Sequence, residues 1–110
     1  MKNKILFSFW IVITGFIANA QENNVNIPNN IFKTYLLGNS AINTNGDNEI
    51  QLSEASAFMG TIDVINLGIS DLTGIEAFTS LTVLKARSNN LTSLDITNNL
   101  SSIIKMQLTD

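Results

Sequence analysis

Residues Ile62 to Leu94 constrain the fold more than any other stretch, because they contain an internal repeat. They read IDVINLGISDLTGIEAFTSLTVLKARSNNLTSL. The apolar frame Ile62, Ile65, Leu67, Leu72, Ile75 recurs as Leu81, Leu84, Ala86, Leu91, Leu94, each residue 19 positions after its partner. Such self-similarity is read before single motifs, because one unit cannot bury its own apolar row and needs a stacked neighbour. Each unit carries the spacing apolar-x-x-apolar-x-apolar, whose last two positions alternate as a short strand requires. Asn89 and Asn90 follow where the chain must turn; an Asn amide bonds nearby backbone and tolerates left-handed geometry. A third unit is expected from Leu100 and Ile103, at the same offset. Its frame then fails at Lys105, and a one-residue insertion would turn Met106 inward. The array is therefore expected to be truncated.

The residues Leu81, Leu84, Ala86, Asn89 and Leu91 resemble the leucine-rich repeat pattern L-x-x-L-x-L-x-x-N-x-L, while Ser70 stands where the preceding unit would carry its Asn. That resemblance implies an α/β repeat solenoid, with a short leucine-rich repeat array over residues 62–110. It also implies that Asn89 is a structural ladder residue, its amide bonded to neighbouring backbone. By the same resemblance, Asp63, Asn66, Lys85 and Arg87 are candidates for a binding face.

Before the repeat, residues 1–20 have the form of a secretory signal peptide. Lys2 and Lys4 make a positive start, Ile5 to Ile17 a mostly apolar core, and Ala18-Asn19-Ala20 a small-x-small cleavage site before Gln21. The core is short for a membrane span of about 20 residues. Export follows, to a secreted, cell-surface or periplasmic location, with no membrane insertion after cleavage. Of the six basic and nine acidic residues of the chain, Lys2 and Lys4 leave with the signal peptide. The remainder, four basic against nine acidic, carries a net charge of −5. That balance argues against nucleic acid, whose binding proteins concentrate Lys and Arg. There is no Cys, so the exported chain has neither disulfides nor thiol chemistry.

Residues 21–61 are expected to form a lead-in and a helix-loop-helix amino-terminal cap. Pro28 and the Asn29-Asn30 pair open a helix over about Asn30 to Leu37, with Ile31 and Tyr35, extended by Phe32 and Leu36, as its apolar stripe and Gly38 as its stop. Ala55, Phe58 and Met59 give a second apolar face before Gly60, and Ser53 is a candidate cap of that second helix, with Ser56 standing where a capping box needs Glu or Gln. Between them runs a twelve-residue stretch, NTNGDNEIQLSE. It resembles an EF-hand or dockerin-like loop, with Asn43, Asn45, Asp47, Glu49, Gln51 and Glu54 at the ligand positions and Ile50 at the apolar eighth. An EF-hand loop supplies oxygen ligands at this spacing and closes its shell with a bidentate carboxylate at the twelfth position. Here Asn43 replaces the usual first Asp, and Asn48 replaces the sixth Gly. Only Asp47 and Glu54 bring side-chain carboxylates to the expected metal. Two readings stay open: a weak calcium site, of about 10⁻⁴ to 10⁻³ M, and a metal-free polar turn.

Taken together, signal peptide, IPNNIFKTYLL, TNGDNEIQLSEA, ISDLTGIEAFTSLTVL and NNLTSLDITNN resemble, in this order, the exported internalin-like leucine-rich repeat proteins of Bacteroidetes-type bacteria. The resemblance implies a non-catalytic module that binds an extracellular protein or glycan. The competing reading is a purely structural segment of a larger array, stabilised by calcium. An enzyme is not expected: there is no His and no Cys, no nucleophile elbow, and no motif that places Asp71 and Glu76 in a cleft.

Overall fold

The computed structural model describes residues 23–99 and 102–109. The expected signal peptide and the expected start of the third unit at Leu100 lie outside the described residues.

The first element, α1 (Asn30–Leu37), starts where the Asn29 side chain accepts a hydrogen bond from the Phe32 N–H at 3.0 Å. It ends at Gly38, whose N–H donates to Thr34 O at 3.1 Å. Its span matches the expectation, and of the four residues expected in its stripe Phe32 and Leu36 are buried, while Ile31 is 44% exposed. The pairs Ile31/Tyr35 and Phe32/Leu36 have the same spacing of four, so helical periodicity alone cannot choose between two adjacent stripes. The larger Phe32 takes the core. The second helix, α2 (Leu52–Ala57), is shorter and begins after Gln51 rather than at Ser53. The side chain of Glu54 reaches back to accept from the Gln51 N–H at 3.0 Å, one arm of a capping box.

Three strands follow: β1 (Thr61–Asp63), β2 (Val83–Lys85) and β3 (Lys105–Gln107). They form one parallel sheet in the order β1-β2-β3. Partners are Thr61, Val83 and Lys105 in one row, Ile62, Leu84 and Met106 in the next, and Asp63, Lys85 and Gln107 in the third. Parallel neighbours need long crossovers, and each crossover here contains one 3₁₀ turn, Ile75–Ala77 in the first and Thr97–Asn99 in the second.

This register overturns the sequence frame. Paired residues lie 22 positions apart, as in Thr61 with Val83 and Val83 with Lys105, so the offset of 19 does not relate them. Leu84 stands beside Ile62, not Ile65. Val64 and Ile69 are buried instead of Ile65 and Leu67, and Leu67 is 41% exposed. Residues 62–69 carry five apolar side chains, which accommodate more than one frame. The expected α/β repeat solenoid, a leucine-rich array behind a helix-loop-helix cap, is thereby corrected. Among the described residues the chain forms an open three-stranded parallel sheet accompanied by two helices. One hydrophobic cluster joins Ile27, Phe32, Leu36, Ile42, Ile50 and Ala55 to Ile62, Leu72, Phe78 and Leu84.

Phe78 is fully buried and meets Phe58 edge to face, with ring centroids 6.4 Å apart, a favoured aromatic geometry. Gly74 has φ of 110°, and a Cβ there would approach Ile27 Cγ1 to 2.8 Å. The lead-in segment at Val25 to Ile27 therefore packs directly against this turn. At its other end the sheet is open: Met106 and Leu108 on β3 and just beyond it are 37% and 38% exposed.

Candidate functional site: the 43–54 loop and the solvent face of the sheet

The side chains of the six loop residues expected as metal ligands divide into four sets by their hydrogen-bond partners. Asn43 is 6% exposed, and its Nδ2 donates to Leu37 O at 3.1 Å and to Asp47 O at 2.9 Å. Its Oδ1 is buried without a hydrogen-bond donor. Asn45, Asp47 and Gln51 form an exposed network. Asn45 Nδ2 donates to Asp47 Oδ2 at 3.1 Å and Gln51 Oε1 at 3.0 Å, and Gln51 Nε2 donates to Asp47 Oδ2 at 2.8 Å. The Glu49 N–H donates to Asp47 Oδ1 at 3.1 Å. That backbone hydrogen bond, with those from the Gln51 and Asn45 side chains, holds the Asp47 carboxyl below its ordinary value. Glu49 itself turns away, to an ion pair of 3.0 Å with Lys33.

Glu54 organises the inner side of the loop. Its Oε2 accepts from the Thr44 N–H at 2.8 Å, the Thr44 hydroxyl at 3.1 Å and the Asn45 N–H at 3.2 Å. Its Oε1 accepts from the Gln51 N–H. A carboxylate that is 9% exposed thus takes four donors, three of them backbone groups that would otherwise be buried or frayed. A cation chelated by both Glu54 oxygens would have to displace these bonds. The donor set is also poor in charge: with Glu49 turned to Lys33, its side-chain carboxylates are Asp47 at the fifth position and Glu54 at the twelfth. Among the described residues, no group of three or more His, Cys, Asp or Glu side chains is placed to hold a metal. The Ile50 carbonyl meanwhile accepts from the Val25 N–H at 2.8 Å, so the lead-in pairs with the loop as a short antiparallel bridge between Asn24 and Gln51.

Asn89 ties the first crossover to the second. Its Oδ1 accepts from the N–H groups of Leu67 (3.1 Å) and Ile69 (2.9 Å), and its Nδ2 donates to Val64 O (2.7 Å), Ala86 O (3.0 Å) and Arg87 O (3.3 Å). A second amide does similar work and was not singled out in the sequence: Asn99, fully buried, donates from Nδ2 to Ile75 O and Phe78 O. Its sequence signal is only one Asn among several, which is why burial was needed to find it.

The four binding-face candidates lie on or beside the solvent side of the sheet. Asp63 and Lys85 are cross-strand partners, with Gln107 completing the row. Arg87 continues the outward alternation two residues after Lys85 and is exposed, with the buried Ala86 between them. Asn66 is exposed at φ of 57°, and its N–H donates to Arg87 O at 3.1 Å. The Asp63 carboxylate folds back to accept from the Ile65 N–H at 3.3 Å, while the Asp63 N–H donates to Tyr35 Oη at 3.0 Å. Tyr35 is thereby fixed at the β1 margin of this face.

Asp71 and Glu76 do share a cleft, contrary to the sequence expectation. With Thr73, Leu94 and Asp95 they line a space of about 280 Å³. The Thr73 hydroxyl, then the Thr73 N–H, lower the Asp71 carboxyl, and Thr97 does the same to Asp95.

No helix among the described residues is long and apolar enough to cross a membrane. No protein-family model matches the chain, and no curated protein matches it.

Proposed function

We propose that this protein is a non-catalytic, exported binding module whose ligand, a protein or a glycan, docks on the solvent face of the parallel sheet. The observation that carries this reading is the two-sidedness of the sheet. Ile62 and Leu84 point into the core with no exposure, whereas the rows containing Asp63, Lys85 and Gln107 and Thr61, Val83 and Lys105 face outward in register. Parallel sheets usually bury both faces, so a solvated, polar face on one is an opening for a ligand. Export rests on the signal-peptide pattern of residues 1–20.

The test is a glycan-array and crosslinking screen with residues 21–110, comparing the native face with a triple variant, Asp63→Ala, Lys85→Ala, Arg87→Ala. Binding that disappears in the triple variant, while far-ultraviolet circular dichroism and melting are retained, supports the reading. Ligands retained by the triple variant would move the site elsewhere.

A second reading, a structural segment with calcium as a ligand, is favoured by one feature, the ordered 43–54 loop. The four donors on Glu54 support a loop that closes without metal. We place any calcium affinity no tighter than about 10⁻³ M, the weak end of extracellular sites.

A further inference from the structure

The chain is acidic as a whole, but its charges are segregated. Among the described residues there are four cations, Lys33, Lys85, Arg87 and Lys105. Lys33 is neutralised by Glu49 at 3.0 Å. The other three all lie on the outward face of the sheet or on its direct continuation, and among the described residues none of them enters an ion pair. Against them stands one carboxylate, Asp63, giving this face a charge of +2. The other six described carboxylates and Lys33 give the rest of the described chain −5.

Strands in a sheet are about 4.8 Å apart, and same-face residues along a strand about 6.6 Å apart. Lys85 therefore stands within roughly one Debye length of both Arg87 and Lys105 at 0.1 M salt, about 10 Å, and its field adds to each of theirs. The centre of the face holds no large apolar side chain: its residues are Thr61, Asp63, Val83, Lys85, Lys105 and Gln107. Protein interfaces concentrate binding energy in buried aromatic and aliphatic anchors, which this centre lacks. At its margin lies the half-buried ring of Tyr35, which shares a shallow apolar groove with Ile31 and Leu67. Cations and amides flanked by an aromatic ring suit an acidic sugar chain: the carboxylates meet Lys and Arg, and the C–H face of a sugar meets the ring.

We infer that the sheet face binds an anionic polysaccharide of the uronate type, through Lys85, Arg87 and Lys105. This rests on the sheet-face reading above and narrows its ligand class.

The experiment measures binding of residues 21–110 to polygalacturonate, to an uncharged galactan and to poly-glutamate, at low and high salt. The expected result is selective polygalacturonate binding that weakens about tenfold or more between 50 and 500 mM salt, as counterion-dependent contacts do. The double variant Lys85→Gln, Arg87→Gln should weaken it by a further factor of about ten, and Lys105→Gln alone by a few-fold, with Lys33→Gln unchanged as the control. Equal binding to the uncharged galactan overturns the inference but leaves the sheet-face reading intact if the triple variant still abolishes it. Tighter binding to poly-glutamate assigns the face to an acidic protein and overturns the glycan class. No binding to polygalacturonate, or binding unaffected by the double variant, overturns the inference outright.

Discussion

The same inward position is occupied three times across the sheet, and its burial is not the same each time. Ile62 on β1 and Leu84 on β2 have no exposed surface, whereas Met106 on β3 is 37% exposed. The β1 side is covered by the helical region. There α1, the 43–54 loop and α2 contribute Phe32, Leu36, Ile42, Ile50 and Ala55 to one cluster, and Tyr35 bonds β1 directly. The β3 side is an open edge with Ile104, Met106 and Leu108 exposed. Alternation along a strand selects which side chains point inward. Whether they are buried depends on what lies beyond the neighbouring strand.

The largest expected effect tests that difference directly. Leu84→Ala removes a fully buried side chain from the middle of the row and should cost about 3 kcal/mol, within the usual range for buried Leu truncations. Met106→Ala removes a partly solvated one and should cost about 1 kcal/mol or less. Chemical denaturation of both variants checks this. Equal losses would mean that the edge is covered in solution and would break the comparison. Amide exchange sharpens it: the β1–β2 bond from the Val64 N–H to Lys85 O should be better protected than the β2–β3 bond from the Ala86 N–H to Gln107 O.

How much of this was legible in the sequence depends on which physical signal each element leaves. α1 announces itself through Asn29, Pro28 and Gly38, residues whose backbone preferences are local, and its span was readable. Strand register was not. Five apolar residues between Ile62 and Ile69 fit more than one frame, and the choice between steps of 19 and 22 is made by cross-strand hydrogen bonds that no local preference encodes. In the loop, residue types at calcium-binding spacing were visible, but their partners were not. That Glu54 turns its carboxylate onto Thr44 and Asn45, and that Glu49 leaves for Lys33, follows from three-dimensional placement. Asn99 is the plainest omission, since its burial comes from the turn at Ile75–Ala77 packing over it from 21 to 24 residues away.

An intermediate effect is expected at Glu54, on the covered side. Glu54→Gln keeps the shape but loses the charge and turns one acceptor into a donor facing backbone N–H groups, which should cost about 1–3 kcal/mol. Denaturant melts in metal-stripped buffer with and without 1 mM calcium give the measurement. The native chain is expected to melt at the same point in both, and the variant lower in both. A calcium-dependent gain in the native chain alone would show that Glu54 serves a metal rather than the loop, and the covered side would then owe part of its order to a ligand.

The smallest effect is expected on acidification, and it should not distinguish the two sides. Asp47 lies in the covered region, Asp71 in the first crossover and Asp95 in the second, nearer the open edge. All three are held below the ordinary 3.8 by local hydrogen bonds: Asp47 first by the Glu49 N–H, Asp71 by the Thr73 hydroxyl and N–H, and Asp95 by the Thr97 hydroxyl and N–H. The folded value is the lower one, so each carboxylate stabilises the fold above pH 3.8, and that contribution is lost as the pH falls through the folded value. The three carboxylates are solvated, so each contribution is small. Carboxyl-carbon NMR between pH 5 and 2 should give three midpoints below 3.8, with no loss of β3 signals ahead of those of β1. If acid released β3 first, the hydrogen bonds of Asp95 to Thr97 would be holding the open edge. The asymmetry across the sheet would then have an electrostatic part as well as a packing one.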